Sequence, residues 1–196
     1  MQVIALPLGG TLQYNADFLA RSEADALFET LLAELPLVQE DVVLFGRRIP
    51  QPRLSLWMGD PGATYRYSGV TREPRPWHGP VRALAERASA VAGVPFNSVL
   101  CNLYRGGRDS MGFHADDEPE LGSEPVIASL SLGAARTFVL RPKHKRDRAA
   151  GGHKLRLGHG SLLLMSSAVQ RHWNHGIPKE QADGPRLNMT FRRIER

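Results

Sequence analysis

Cysteine is almost absent, with Cys101 the single example in 196 residues. That excludes an internal disulfide framework and a thiolate metal cage, and it suits a reducing compartment. Long apolar runs are missing too. The longest, such as Leu162–Met165, are strand-sized, well short of the roughly 18 residues a membrane span needs. Met1–Gly10 has no basic n-region and too short an apolar run for a signal peptide, so the expected location is cytoplasmic, with no membrane partner. Aromatic residues make up only 7%, but 42% hydrophobic and 23% charged residues describe an ordinary globular chain and exclude a disordered, collagen-like or coiled-coil one. The length fits one domain, 1–196, expected as a monomer.

The formal charge is +5, unevenly spread. Arg141, Lys143, Lys145, Arg146, Arg148, Lys154 and Arg156 fall between 141 and 156 with Asp147 as the one acid, directly after the acidic Asp116, Asp117, Glu118, Glu120 and Glu124. A basic segment of this kind is either a solvated hairpin loop or a contact to a polyanion, whose counterions it would release.

Ser22 with Asp25 resembles a capping box, and Leu27, Phe28, Leu31, Leu32 and Leu35 recur on one helical face until Pro36. A second helix is expected from Pro80, carrying Val81, Leu84, Ala85, Ala88 and Val91 to Gly93. The intervening stretch, with Pro50, Pro52, Pro61, Gly62, Gly69, Pro74 and Pro76, reads as an irregular surface lid. After Pro95 the pattern becomes short strands, at 97–104, 126–132, 136–141, 154–157, 161–165 and 187–194, separated by glycine turns. Such spacing is the signature of an antiparallel sandwich or barrel.

His114 and Asp116 are two apart, so in an extended segment both leave the same face. A second histidine from a distant strand would complete a 2-His-1-carboxylate facial triad for non-haem iron(II). His172 and His175 are both candidates, and spacing does not choose between them. In the C-terminal segment Arg186, Asn188, Thr190 and Arg192 share one face under period-2 geometry, with Leu187, Met189 and Phe191 on the other. Two guanidinium groups on an inward face are costly without an anion, and a dicarboxylate would pair with both. Asn102 and Tyr104 project together and offer an amide and a phenol to the same ligand.

Taken in order, Phe96–Tyr104, His114-Ala-Asp-Asp-Glu118, Ile127–Gly133, His159-Gly-Ser, His175-Gly-Ile-Pro178 and Pro185–Arg192 resemble the motifs of the AlkB family of iron(II)- and 2-oxoglutarate-dependent nucleic-acid dealkylating dioxygenases. The likeness is strongest to the branch containing the human homologues that repair nuclear DNA. The resemblance implies a mainly β chain with flanking helices, a double-stranded β-helix (jelly roll) at 96–196 under helices and a nucleotide-recognition lid at 1–95. It implies His114, Asp116 and His175 as metal ligands, His175 being preferred because the family's ligand precedes a proline by three residues. It places 2-oxoglutarate on Asn102, Tyr104, Arg186, Asn188 and Arg192, with Arg186 at the distal carboxylate and Arg192 at the iron-chelating end. Dioxygen is the second cosubstrate. For the substrate it implies Tyr67 and Ser68 in the lid, Tyr67 stacking on a flipped base, and Glu118 hydrogen-bonding an exocyclic amine. It further implies Phe45 as a wedge into the duplex, with Trp57 as a second aromatic. Lys143, Lys145, Arg146 and Arg148 are assigned to the nucleic-acid backbone on charge alone, because the 141–156 loop departs from the family pattern. The expected activity is oxidative demethylation of N-methylated DNA bases such as 1-methyladenine and 3-methylcytosine. The alternatives are the same chemistry on RNA, tRNA or protein, or a catalytically silent nucleic-acid-binding module.

Overall fold

The computed structural model of the chain describes residues 1–44, 46–67 and 70–195, and at 43–44, 65–67 and 70–72 the backbone only. In chain order the strands are β1 (Gln2–Ala5), β2 (Thr11–Asn15), β3 (Asp41–Leu44), β4 (Arg47–Pro50), β5 (Leu54–Gly59), β6 (Tyr65–Tyr67), β7 (Val70–Arg72), β8 (Ser98–Tyr104), β9 (Met111–His114), β10 (Ile127–Gly133), β11 (Arg136–Pro142), β12 (His153–Leu157), β13 (Ser161–Met165), β14 (Trp173–Ile177) and β15 (Arg186–Arg192). The helices are α1 (Arg21–Glu34), α2 (Gly79–Ala92) and the short α3 (Ser167–His172).

A seven-stranded sheet runs β1-β2-β13-β10-β15-β8-β5, and a four-stranded sheet runs β12-β11-β14-β9. All pairings within both are antiparallel, as in a jelly roll. Alternation sorts the side chains of the large sheet into two cores. Leu56 and Met58, Val99 and Cys101, Leu130 and Leu132, Leu162 and Leu164, and Leu187, Met189 and Phe191 pack under the helices with Leu31, Val81 and Leu84. The opposite face, with Trp57, Tyr104, Ile127, Leu163 and Met165, meets Phe138, Leu140, Trp173 and Ile177 of the smaller sheet. β15 lies between β10 and β8 and is buried along its whole length, so its polar face points into the space between the sheets.

Several expectations change. The stretch after Pro52 is not all lid: Leu54–Gly59 is an edge strand of the large sheet, paired with β8 from Leu54↔Leu103 to Gly59↔Ser98. Together with β1 and β2 it carries the large sheet well upstream of residue 95. The capping box does not form. Ala20 is the N-cap without a side-chain bond, Ser22 lies inside the helix, and Asp25 pairs with Arg21 at 3.1 Å. α2 begins with its proline in the first turn and ends at Gly93, whose φ of 70° is the left-handed cap that a Cβ would strain. No helix among the described residues is long and apolar enough to cross a membrane.

Candidate metal centre and cosubstrate pocket

His114 closes β9, Asp116 follows it by two residues, and His175 sits in β14 directly opposite His114 in register. One ligand atom from each lies within 4.8 Å of the others. The imidazoles meet edge to face with centroids 4.5 Å apart, and Phe138 backs His175 at 5.2 Å. The pairing of β9 with β14 requires Gly176, where a Cβ would stand 2.9 Å from the Met111 carbonyl. His172 ends α3 and is not part of the cluster, so the strand after α3 decides between the two histidines.

Each ligand is prepared for a cation. The Nδ1 of His114 lies 2.9 Å from the Gly112 carbonyl, which suits an Nδ1–H tautomer and leaves Nε2 its lone pair. Burial, helped by the neighbouring His175, pushes the His114 imidazole down to about 4, so it is proton-free at neutral pH. For Asp116, burial opposes ionisation, but the guanidinium of Arg192 and the two imidazoles overcome it and hold the carboxyl well below the usual range. Arg192 donates from Nη2 (2.6 Å) and Nε (3.1 Å) to Oδ1 of Asp116, and the Asp116 N–H donates to Oε1 of Gln170 at 3.0 Å. Oδ2, 3.4 Å from Nε2 of His175, has no hydrogen bond. Two imidazole nitrogens and an orphaned, ionised carboxylate oxygen are the donor set iron(II) takes in a facial triad.

A pocket opens from this cluster and is lined by Asn102, Tyr104, Ser129, Phe138, Arg186, Asn188, Thr190 and Arg192 among others. Arg186 is fully buried and donates from Nη2 to Oγ of Ser131 at 2.9 Å, while Nε and Nη1 have no hydrogen-bond partner. Burial brings this guanidinium down to about 10. Partnerless N–H groups on a buried guanidinium are donors kept for an arriving carboxylate. Asn102 accepts from Nε of Arg53 at 2.9 Å, which turns its amide in the pocket. The remaining two residues also have partners within the chain. Asn188 already gives its amide protons to Ser129 Oγ (2.8 Å) and the Leu130 carbonyl (2.9 Å), so it shapes the wall through the sheet. Arg192 is engaged by Asp116, which gives it a hold on the metal ligand that period-2 reasoning did not show. Arg53, Ser131 and Gln170 join the site with no local sign in the sequence; each is a common residue type whose part depends on a partner far away in the chain.

Of the substrate residues, Trp57 lies on the inner face of β5 opposite Leu100 and packs into the core between the sheets. Glu118 is half-buried at the start of the short turn Pro119–Leu121, two residues beyond Asp116. Tyr67 ends β6, paired with Val70. Its side chain, like Phe45 and Ser68, lies outside the described residues. Lys145, Arg146 and Arg148 are exposed on the turn Lys145–Ala150, whereas Lys143 is half-buried and ion-paired with Asp117, which takes it out of the basic loop's free charge.

Residues 11–192 match the model of the 2OG-Fe(II) oxygenase superfamily, and the chain belongs to that superfamily, with the iron(II) and 2-oxoglutarate dependence the site displays. It is 42% identical over 184 residues to human "Alpha-ketoglutarate-dependent dioxygenase alkB homolog 3", covering 90% of this chain and 64% of the relative. It is 39% identical over 182 residues to human "DNA oxidative demethylase ALKBH2", covering 89% of this chain and 70% of that one, and 39% identical over 191 residues to the Bos taurus protein of the same name, covering 92% and 69%. The chain is a member of the AlkB family within that superfamily. It spans slightly less than two thirds of the alkB homolog 3 proteins it matches. The fold is shared with "The structure of OsALKBH1" at a TM-score of 0.65 and 17% identity, over 98% of this chain and all of that one.

Proposed function

We propose that this chain removes methyl groups from N-alkylated bases of DNA by oxidative demethylation. The observation that carries the reading is the facial triad with the partnerless guanidinium nitrogens of Arg186 in the same cavity, in a chain similar to proteins named DNA oxidative demethylase. With iron(II) bound, 2-oxoglutarate and dioxygen supply the oxidation of N–CH3 to N–CH2OH, leaving succinate and carbon dioxide, and the hydroxymethyl group departs as formaldehyde. His114, Asp116 and His175 would hold the metal, and three protein ligands would leave positions for the cosubstrates. Arg186 takes the distal carboxylate of 2-oxoglutarate, Tyr104 and Asn102 align it, and Arg192 keeps Asp116 ionised and turned toward the metal.

The substrate assignments rest on the family likeness. Tyr67 stacks on the extruded base, Ser68 contributes to the same recognition, Glu118 meets its exocyclic amine and favours a methylated, cationic ring, and Phe45 fills the gap left in the duplex. Lys145, Arg146 and Arg148 contact phosphates. The test is formaldehyde release from matched 1-methyladenine and 3-methylcytosine oligonucleotides, single- and double-stranded, DNA and RNA, with iron(II) and 2-oxoglutarate. Release from methylated DNA with equimolar succinate supports the reading. Release from RNA alone transfers it to RNA, and release from neither overturns it.

A further inference from the structure

Behind the pocket stands a residue with no part in the chemistry above. Arg136 opens β11 and is 1% exposed, yet its guanidinium makes four hydrogen bonds. Nε donates to Oε1 of Glu180 at 3.2 Å, Nη1 to the Gly106 carbonyl at 3.2 Å, and Nη2 to the carbonyls of Asp109 at 2.9 Å and Pro178 at 2.7 Å. The segment after β8, which carries Asn102 and Tyr104, is thereby tied to the segment after β14, which carries His175. The closeness of these two segments depends on Gly107, where a Cβ would overlap the Glu180 carbonyl. Glu180 is held in turn by the N–H and hydroxyl of Thr137, both at 2.7 Å, and by Nη1 of Arg156 at 3.0 Å.

The clasp reaches the pocket through Tyr104. Cζ of Arg136 lies 5.5 Å from the Tyr104 ring centroid and Cζ of Arg186 lies 5.3 Å from it, so one phenol ring carries two guanidinium groups. Each cation gains from the ring quadrupole, but two buried like charges repel. Glu180 is the carboxylate on Arg136, whereas Arg186 donates to the neutral Ser131 hydroxyl. Glu180 is shared with Arg156, and the Asp109 carboxylate near Arg136 is paired with Arg105, so positive charge is in excess around the ring, in a place where burying an uncompensated cation is costly. A clamp serving only to join loops needs no such excess; a cation facing a carboxylate that arrives with its ligand does.

We propose that Arg136, held by Glu180, is a positioning and specificity-determining residue of the cosubstrate pocket: it seats Tyr104 and adds to the positive field around Arg186 that selects a five-carbon 2-oxo dicarboxylate over a 2-oxo monocarboxylate. The inference rests on the reading of Arg186 as the seat of the distal carboxylate. It gives the two partners opposite signs. Removing Arg136 lowers the positive charge felt by the distal carboxylate, and removing the charge of Glu180 raises it, although both changes loosen the same clasp.

The experiment is calorimetric titration of the manganese(II)-loaded full chain with 2-oxoglutarate and with 2-oxopentanoate, which keeps the chelating end and has a methyl group in place of the distal carboxylate. The readout is the ratio of the two dissociation constants. Glu180→Gln is expected to raise the preference for 2-oxoglutarate by about three- to tenfold, and Arg136→Met to lower it by about tenfold or more. Affinity for 2-oxopentanoate should move much less in both. Preference falling in both variants, or unchanged in both, overturns the proposal and leaves a structural clasp. If Arg136→Met does not fold, Glu180→Gln decides alone: a rise supports the proposal, and a fall or no change overturns it. Arg186→Met is the control for the pocket itself. If it leaves the preference intact, the seat of the distal carboxylate is wrong, which is distinguishable from failure of the clasp alone.

Discussion

Replacing Arg186 by methionine should separate cosubstrate binding from folding, because the structure assigns the two effects opposite signs. The side chain is fully buried, its Nε and Nη1 have no partner, and burial already lowers its proton affinity to about 10. Substituting an apolar side chain of similar length therefore removes a buried charge that the Ser131 hydroxyl and the Tyr104 ring compensate only in part, a change that is often neutral or stabilising. Binding should suffer instead. Two hydrogen bonds to a charged group at about 1.5–3 kcal/mol each give a loss of at least about 3 kcal/mol, or roughly a hundredfold in affinity. Thermal unfolding in the presence of manganese(II) reads both. At a 2-oxoglutarate concentration of about 100 times Kd the ligand stabilises the native chain by about 2.7 kcal/mol, which for a chain of this size raises Tm by roughly 5–11 °C. At the same concentration the variant would keep about 0.4 kcal/mol, a rise of about 1 °C. The ligand-free Tm should hold or increase. A ligand-free Tm lowered by many degrees, together with an undiminished 2-oxoglutarate shift, would refute the reasoning and make Arg186 a structural residue.

The metal centre and two titratable groups outside the pocket are open to equally direct measurement. His175→Ala should abolish tight iron(II) or manganese(II) binding while His172→Ala keeps it, measured by metal titration; equal retention in both would remove His175 from the centre. His159 accepts the Gly133 N–H on Nδ1 at 2.7 Å and faces Asp25 with Nε2 at 3.2 Å, and burial lowers its pKa below 6.5 despite the carboxylate. The native state thus keeps it neutral while the unfolded chain takes a proton below about pH 6.5, so this contribution to stability is whole above that pH and declines as pH falls through it toward the folded value. His159→Asn should flatten the pH dependence of Tm between about 7.5 and 5.5, and an unaltered slope would count against it. Cys101 is fully buried and its thiol is pushed up to about 12, so a disulfide reagent at mildly alkaline pH should find no reactive thiol in the native chain and one after denaturation.

Alternation of side chains along a strand is a property of local geometry, and for that reason much of the site is legible in the order of residues alone. Arg186, Asn188, Thr190 and Arg192 fall on one face, and His114 with Asp116 on another, from a repeat of two. The helical period likewise locates α1 and α2, and glycine turns mark most of the later strands. What this periodicity cannot express is which strand lies beside which. Leu54–Gly59 sits among prolines and becomes a strand only because β8 offers it an edge, and Ser22 does not cap because the helix begins two residues earlier than a local signal suggests.

The same limit governs the site. His172 and His175 are equivalent by spacing, and the choice is made where α3 ends and β14 pairs with β9. Arg192 and Asp116 are 76 residues apart and share a hydrogen bond that only the facing of the two sheets creates. Arg136 carries no local sign of its clasp, since its partners are backbone carbonyls and a glutamate 44 residues on. Chain order was enough to say which residue types alternate on which face and, through its ordered motifs, which family they belong to. Which polar groups are paired and which are left for a ligand was settled in three dimensions, because pairing depends on distances between segments that chain order does not contain.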